Sequence, residues 1–517
     1  MKSKKLNFLF GALIVFIMVT SFGCKKNLEI EPVGVQTLDV TFSDFTGALS
    51  ATNGVYSRLT TSNLYRNNIS FLLIDQASDD VIYGPRATPN YSKIDYFENA
   101  PTDGFVMDIW SAFYEVIYRA NVVIARVQDV PIPPARSLNS AGLPFKDQLM
   151  GEAKFLRAFS YFNLVRVFGD VPLPVKEITS IEEINIPRSP VAEVYQQIEN
   201  DLKDAISKLP PRHSGIGAGN EKGRVSKWGA TALLAEVYLT QKNYTAAKDL
   251  AEQTITGALA NGFKLNDTYV GNYVARGGTE NSPESLFEIQ FGGATVSATG
   301  PTGQNFSNWM SGGNNVPRGT SRYKPTDDSF LENEPGYSGS LVQEYDINND
   351  LRFKNCYYQD IGYGSTITWH CNKWYALGQG SGNENFVVSR LADVYLMYAE
   401  AVNEQSGPDP TAVEYVNKLR RRAYGLPLHT TSAAQDIVLA GLSQDAFRQL
   451  IRSERRKELA FENKRWFDLI RYGYDYMNDV LINKQKRELF KKEYMLFPIP
   501  ATELVANPLL TQNPGYN

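Results

Sequence analysis

The stretch "GRVSKWGATALLAEVYLTQKNYTAAKDLAEQTI", Gly223 to Ile255, leaves a chain few ways to fold. Its apolar residues recur every three or four positions, the helical period. Leu234, Ala235, Tyr238, Ala247 and Ala251 alternate large with small side chains, and Tyr238 precedes Ala247 by nine residues. Small residues let two antiparallel helices approach closely, and the tyrosine fills the space between them. The stretch therefore predicts a tightly packed helix pair.

This spacing is that of a tetratricopeptide unit, and it does not stand alone. "VVSRLADVYLMYAEAVNEQSGPDPTAVEYVNKLRRRAYG", from Val387, has the form of a second pair with a longer turn. Upstream, "GFVMDIWSAFYEVIYRANVVIARV" and "KDQLMGEAKFLRAFSYFNLVRVFGDVPLPV" keep the same period, the latter with Phe155, Phe159 and Phe162 on one helical face. Gly169, Pro172 and Pro174 end that helix. "PVAEVYQQIENDLKDAISKLP" is another helix. The expected fold is mainly α, a tetratricopeptide-like helical array of about four helix pairs, with a loop-rich, partly β subdomain packed on it.

That subdomain is expected at about 262–385, where Gly, Asn, Ser, Thr and Pro become frequent and helical periodicity disappears. Within it, "LRFKNCYYQDIGYGSTITWHC" reads as two β-rich runs joined by a turn. A hairpin centred on Tyr363 and Gly364 would set Cys356 opposite Cys371. In an exported chain this reads as a cross-strand disulfide, with two structural thiols as the alternative.

Export is suggested by the first residues. "MKSKK" is a basic start, "LNFLFGALIVFIMVT" an apolar run, and "SFGC" sets small residues before a cysteine. The expected cut falls between Gly23 and Cys24, so that 1–23 is a lipoprotein signal peptide and Cys24 carries lipid. An uncleaved transmembrane anchor is the alternative. The net charge is −4, and losing Lys2, Lys4 and Lys5 with the leader takes it to −7, which argues against a polyanionic partner such as nucleic acid.

Few catalytic chemistries fit. His213, His370 and His429 are scattered, with no pair at metal-ligand spacing and no nucleophile motif, so no metal site or cofactor is expected. "DINND" at Asp346 begins like a calcium loop but has Leu351 for the turn glycine and Tyr357 for the bidentate glutamate. Carboxylate pairs such as Asp79-Asp80 and Asp327-Asp328 would serve a glycoside hydrolase only with a geometry the sequence does not supply.

Ordered segments then converge on one family. "SFGC" with "LEIEP", "GEAKFLRAFSYFNLVRVFGDVPL", "GRVSKWGATALLAEVYL", "SRLADVYLMYAEAVNE", "IRSERRKELAFENKRWFDLIRYG" and the closing "YMLFPIPATELVANPLLTQNPGYN" resemble the SusD/RagB outer-membrane lipoproteins of Bacteroidota. The resemblance implies a non-catalytic surface lipoprotein that captures oligo- or polysaccharide. Such a protein delivers its ligand to a SusC-like TonB-dependent transporter and acts as the transporter's lid; some branches of the family take peptides instead. Residues 24–40 would be a lipidated tether and 41–517 one domain: helical scaffold at about 41–261 and 386–480, an extended tail at about 481–517.

A sugar-binding surface needs aromatic planes flanked by hydrogen-bonding groups. Two loops offer both: "QASDDVIYGPRATPNYSKIDYF" with Tyr83, Arg86, Asn90 and Tyr91, and "NFSNWMSGGNNVPRGTSRYKP" with Trp309, Asn314, Arg322 and Tyr323. These eight residues are the expected ligand site, and Arg86, Arg318 and Arg322 keep peptides or acidic glycans open. Trp110, Trp228 and Trp466 sit in helical motifs and are expected in the core. The charge-dense segment Ile451 to Gly473, with seven Lys/Arg against four Asp/Glu, is expected to be scaffold. Its charges should pair along the helix, Glu454 with Lys457, Glu462 with Arg465 and Lys464 with Asp468.

Overall fold

The computed structural model describes residues 37–66, 75–83, 89–134, 137–139, 141–212, 223–273, 278–291, 323–326, 337–361, 367–371, 373–374 and 384–516. Ten helices carry the scaffold: α1 Phe45–Leu59, α2 Gly104–Arg126, α3 Phe145–Phe168, α4 Val191–Lys208, α5 Lys227–Thr240, α6 Tyr244–Ala260, α7 Leu391–Ser406, α8 Pro410–Ala423, α9 Gln444–Leu459 and α10 Arg465–Tyr472. Each of α1 to α7 packs on the next, and α7 also takes α9, so four successive pairs form the expected array.

The helix starts follow from local chemistry. Asp44, Ser226, Asn243, Asp409 and Ser443 each accept a hydrogen bond from a first-turn N–H, satisfying donors that no helical carbonyl can reach. Gly169, at φ +72°, ends α3 in a backbone conformation that favours glycine.

In the α5–α6 pair, Leu234, Ala235, Ala247 and Ala251 are buried, and Tyr238 lies half-buried between helices with its hydroxyl donating to Glu199 at 2.6 Å. The closest approach is at Gly257, where a Cβ would come within 2.0 Å of the Trp228 ring. Trp110, Trp228 and Trp466 are all buried, as expected. In α3, Phe155 and Phe159 pack on Phe287, whereas Phe162 turns to Tyr195 of α4.

Six strands follow: β1 Val81–Tyr83, β2 Ser285–Ile289, β3 Tyr323–Pro325, β4 Tyr357–Ile361, β5 Ile367–Cys371 and β6 Phe386–Arg390. They pair antiparallel two by two, β1 with β3, β2 with β6 and β4 with β5; Val171–Pro172 and Arg188–Ser189 form one further short pair. The strands thus stitch loops onto the helices rather than build a sheet of their own.

The β4–β5 hairpin differs from its expected register by one residue. Cys371 lies opposite Tyr357, while Cys356 ends the preceding helix Leu351–Cys356. The register follows Tyr357, whose ring stacks on Phe353 at 4.8 Å and whose hydroxyl lies 3.3 Å from that of Tyr345. Both cysteines are buried. At "DINND", Asp346 accepts the N–H groups of Asn348 and Asn349, a self-contained turn, and buried Asp350 caps the next helix and pairs with Arg352 at 2.7 Å.

The tail returns to α3. Phe497 N–H donates to the Val167 carbonyl at 2.8 Å, and the Asn513 amide bridges the Phe168 and Phe497 carbonyls, with a short helix, Ala501–Ala506, between them. Among the described residues no helix is long and apolar enough to cross a membrane.

Candidate ligand-binding site and its anchor

The two loops expected to bind ligand are joined in the fold at one end of each, by the strands β1 and β3. β1 and β3 pair so that Val81 faces Pro325, Ile82 faces Lys324 and Tyr83 faces Tyr323. The first loop therefore leaves the ladder where the second arrives. Asn90 and Tyr91 belong to a short helix, Pro89–Asp95, packed beside β1. Arg86, Trp309, Asn314 and Arg322 lie outside the described residues, as does Cys24.

The ladder is held from below by the charge-dense segment. Arg465 makes a bidentate pair with Asp79, Nε to Oδ1 at 2.6 Å and Nη2 to Oδ2 at 2.8 Å. Arg456 donates to the Asp80 carboxylate at 2.6 Å and to the Asp79 carbonyl at 2.9 Å. That carbonyl also accepts from Gln485 and from the Thr326 hydroxyl, and Thr326 N–H donates to the Asp80 carbonyl, so the residue after β3 is fixed to the residues before β1. Arg487 adds a bond to the Val81 carbonyl at 3.0 Å. These fork-shaped, charge-assisted contacts set direction as well as distance.

All four groups of this clamp are buried. Burial works against an ionised Asp79, but the Arg456 and Arg465 guanidiniums outweigh it and hold its carboxyl well below the usual range. Asp80 goes the other way: burial, with the Asp79 charge beside it, pushes it up to about 6 against the pull of Arg456. Removing one partner from such a buried pair typically costs about 3–5 kcal/mol.

The same segment closes a second buried network. Arg390, at the end of β6, reaches Glu284 at 2.9 Å, Glu458 at 2.7 Å and Glu462 at 2.8 Å. Arg422 of α8 bridges Glu284 and Glu458 at 2.5 Å each, Arg352 reaches Glu454 at 2.5 Å, and Lys373 reaches Glu462 at 2.5 Å. Burial opposes an ionised Glu458, yet Arg422, Arg390 and Arg352 hold it below the ordinary range. Nearby, Arg455 joins Asp393 to Asp468, and Lys464 joins Asp393 to Glu236.

Of the three pairs expected along the helix, only Glu454–Lys457 forms, at 3.6 Å. Glu462 and Arg465 turn instead to Arg390 and Asp79, and Lys464 and Asp468 to Glu236 and Arg455. The excess of cations in the segment is balanced by acids elsewhere in the chain, Asp79 and Asp80 among them. The anchoring role of Asp79 and Asp80 was missed because adjacent carboxylates are common. The usable signal was the unbalanced arginines of a helix too apolar on its other face to be solvated all round.

Among the described residues there is no group of three or more His, Cys, Asp or Glu side chains that could hold a metal ion.

The likeness to known proteins runs along the same lines. The model of the SusD family matches residues 235–516, and a second model, described as starch-binding and associating with the outer membrane, matches 50–239. SusD-like protein P2 of Formosa agariphila is 28% identical with all of both chains covered, and a SusD-like protein of Bacteroides ovatus is 26% identical over 93% of this chain and 84% of its own length. Among solved structures, a laminarin-binding SusD-like protein superposes with a TM-score of 0.73 at 26% identity, covering 92% of this chain and 100% of that one. A SusD homologue from Bacteroides thetaiotaomicron gives 0.75 at 24% identity over 92% and 97%, which speaks to the fold alone. With more than half its length matched by one family model and its helical array shared with solved members, this chain belongs to the SusD family.

Proposed function

We propose that the chain is a non-catalytic glycan-binding lipoprotein of the outer membrane. It captures an oligo- or polysaccharide on the Tyr83 and Tyr323 loops and delivers it to a SusC-like TonB-dependent transporter, over which it acts as the lid. The observation that carries this reading is the β1–β3 register, which sets Tyr83 opposite Tyr323 and so joins two aromatic, amide-rich loops at one end of a ladder. Stacking planes with hydrogen-bonding neighbours suit the apolar face and polar rim of a sugar. The likeness to a laminarin-binding SusD-like protein supports the ligand class, and the outer-membrane description of the matching model supports the location. Cys24 carries the lipid and the chain faces the cell exterior.

The test is calorimetric titration of the detergent-solubilised full chain against laminarin, starch, an acidic polysaccharide and a peptide mixture. Saturable binding of at least one glycan is expected. Binding to peptides alone would overturn the reading. Co-purification with a TonB-dependent transporter from the native membrane checks the partner, and labelling of intact cells checks exposure.

A further inference from the structure

Beside the Asp79 clamp lies a cavity of about 490 Å³ to which α9 presents one face, Gln449, Arg452, Ser453 and Arg456, spaced three and four residues apart. The cations around it are not equivalent. Arg456 and Arg465 are taken by Asp79, Asp80 and Glu344, and Lys484 pairs with Asp479 at 2.9 Å. Arg452 pairs with no carboxylate among the described residues, and its buried Nε has no hydrogen-bond partner.

Arg452 is nonetheless held in position. Its guanidinium lies 4.2 Å from the ring centroid of Tyr472 and 4.5 Å from that of Tyr476. These contacts hold the cation by its charge, and no hydrogen bond among the described residues takes its N–H groups. A guanidinium held between two rings with unused donors, on the wall of a polar cavity, matches the two oxygens of a carboxylate or sulfate in geometry and in charge.

We propose that this pocket binds an oxoanion, the carboxylate or sulfate group of a small acidic ligand, with Arg452 as its principal contact. Glu344 limits the affinity: it stays ionised beside Arg456 and Ser453 and repels an anion, so roughly millimolar dissociation constants are expected. The inference does not depend on glycan capture at the Tyr83 loops.

The experiment titrates the detergent-solubilised full chain with sodium sulfate, sodium glucuronate and glucose at constant ionic strength, read by calorimetry. Saturation by glucuronate alone assigns the pocket to a sugar carboxylate, and saturation by both anions to oxoanions in general; either supports the proposal, with glucose inert. R452Q should weaken anion binding at least tenfold. Gln449→Glu, which sets a carboxylate three residues from Arg452 on the same face, should abolish binding with the melting temperature unchanged. No saturation in the wild type, or undiminished binding in Gln449→Glu, would overturn the proposal.

Discussion

Tyr83 and Tyr323 are direct cross-strand partners, although one comes from the first hundred residues and the other from beyond the middle of the chain. If both loops serve one glycan, Tyr83→Ala and Tyr323→Ala should each weaken binding by roughly tenfold, about 1.4 kcal/mol. The double variant should lose less than the product of the two, because neighbouring contacts to one ligand are coupled. Trp309→Ala should weaken binding likewise. Calorimetry with thermal melting checks this; normal binding with lowered melting would put these residues in the core.

The Arg465–Asp79 pair is expected to behave as a buried anchor. Arg465→Met or Asp79→Asn alone should cost about 3–5 kcal/mol, since each leaves an uncompensated buried charge, and the double variant less than the sum. Glycan affinity should fall with the anchor, because β1 follows directly from Asp79 and Asp80. Urea unfolding alongside ligand titration separates the two effects.

Trp466, fully buried between Phe97 and Phe497, should act on stability alone. Trp466→Ala is expected to cost about 3–5 kcal/mol while the folded fraction binds ligand normally. Gly257→Ala should destabilise as well, by about 1–3 kcal/mol, since its new methyl meets the Trp228 ring. A Gly257→Ala chain as stable as the wild type would show that the ring can move aside.

Stability should peak in mildly acidic solution. Glu458 and Asp393 have carboxyls held below their unfolded values by arginine and lysine partners, so their stabilisation is present above about pH 4 and is lost as pH falls. Asp80 has the opposite sign. Its folded value of about 6 exceeds the unfolded one of about 3.9, so its contribution is present at low pH and is lost as pH rises through 6. Melting temperature across pH 3–8 should show both limbs, and Asp80→Asn should remove the decline between about pH 4 and 6.

The proposed Cys356–Cys371 disulfide has a direct check. Under denaturing, non-reducing conditions the chain from the native membrane should take up no alkylating reagent at either residue, and should take up two equivalents after reduction. Uptake at both without reductant would leave two structural thiols under Tyr357.

The helical array was legible because α5, α6 and α7 carry their packing in local periodicity, small residue against large. Tyr83 and Tyr323 could be named from composition, yet nothing local said that their strands pair. A three-residue strand has too little pattern to declare its partner. The clamp was harder still to see. An arginine's partner is fixed by the three-dimensional path of the chain, and Glu462 and Arg465 had a plausible local pairing that the fold does not use. The Cys371 register slipped by one for a related reason: aromatic packing of Tyr357, rather than turn symmetry, set it.

The distance along the chain between Asp79 and Arg465, 386 residues, has a consequence for how the molecule comes to be. Synthesis and export proceed from the amino terminus, so β1 emerges long before the arginines that fasten it. Helix pairs of low sequence separation can form early, but the β1–β3 ladder is not fastened until nearly the whole polypeptide is available. A product cut short before α9 would keep most of its helices and lose the fastening of the β1–β3 ladder. Completion of the chain through Arg465 is thus built into the fold as a condition for fastening the β1–β3 ladder.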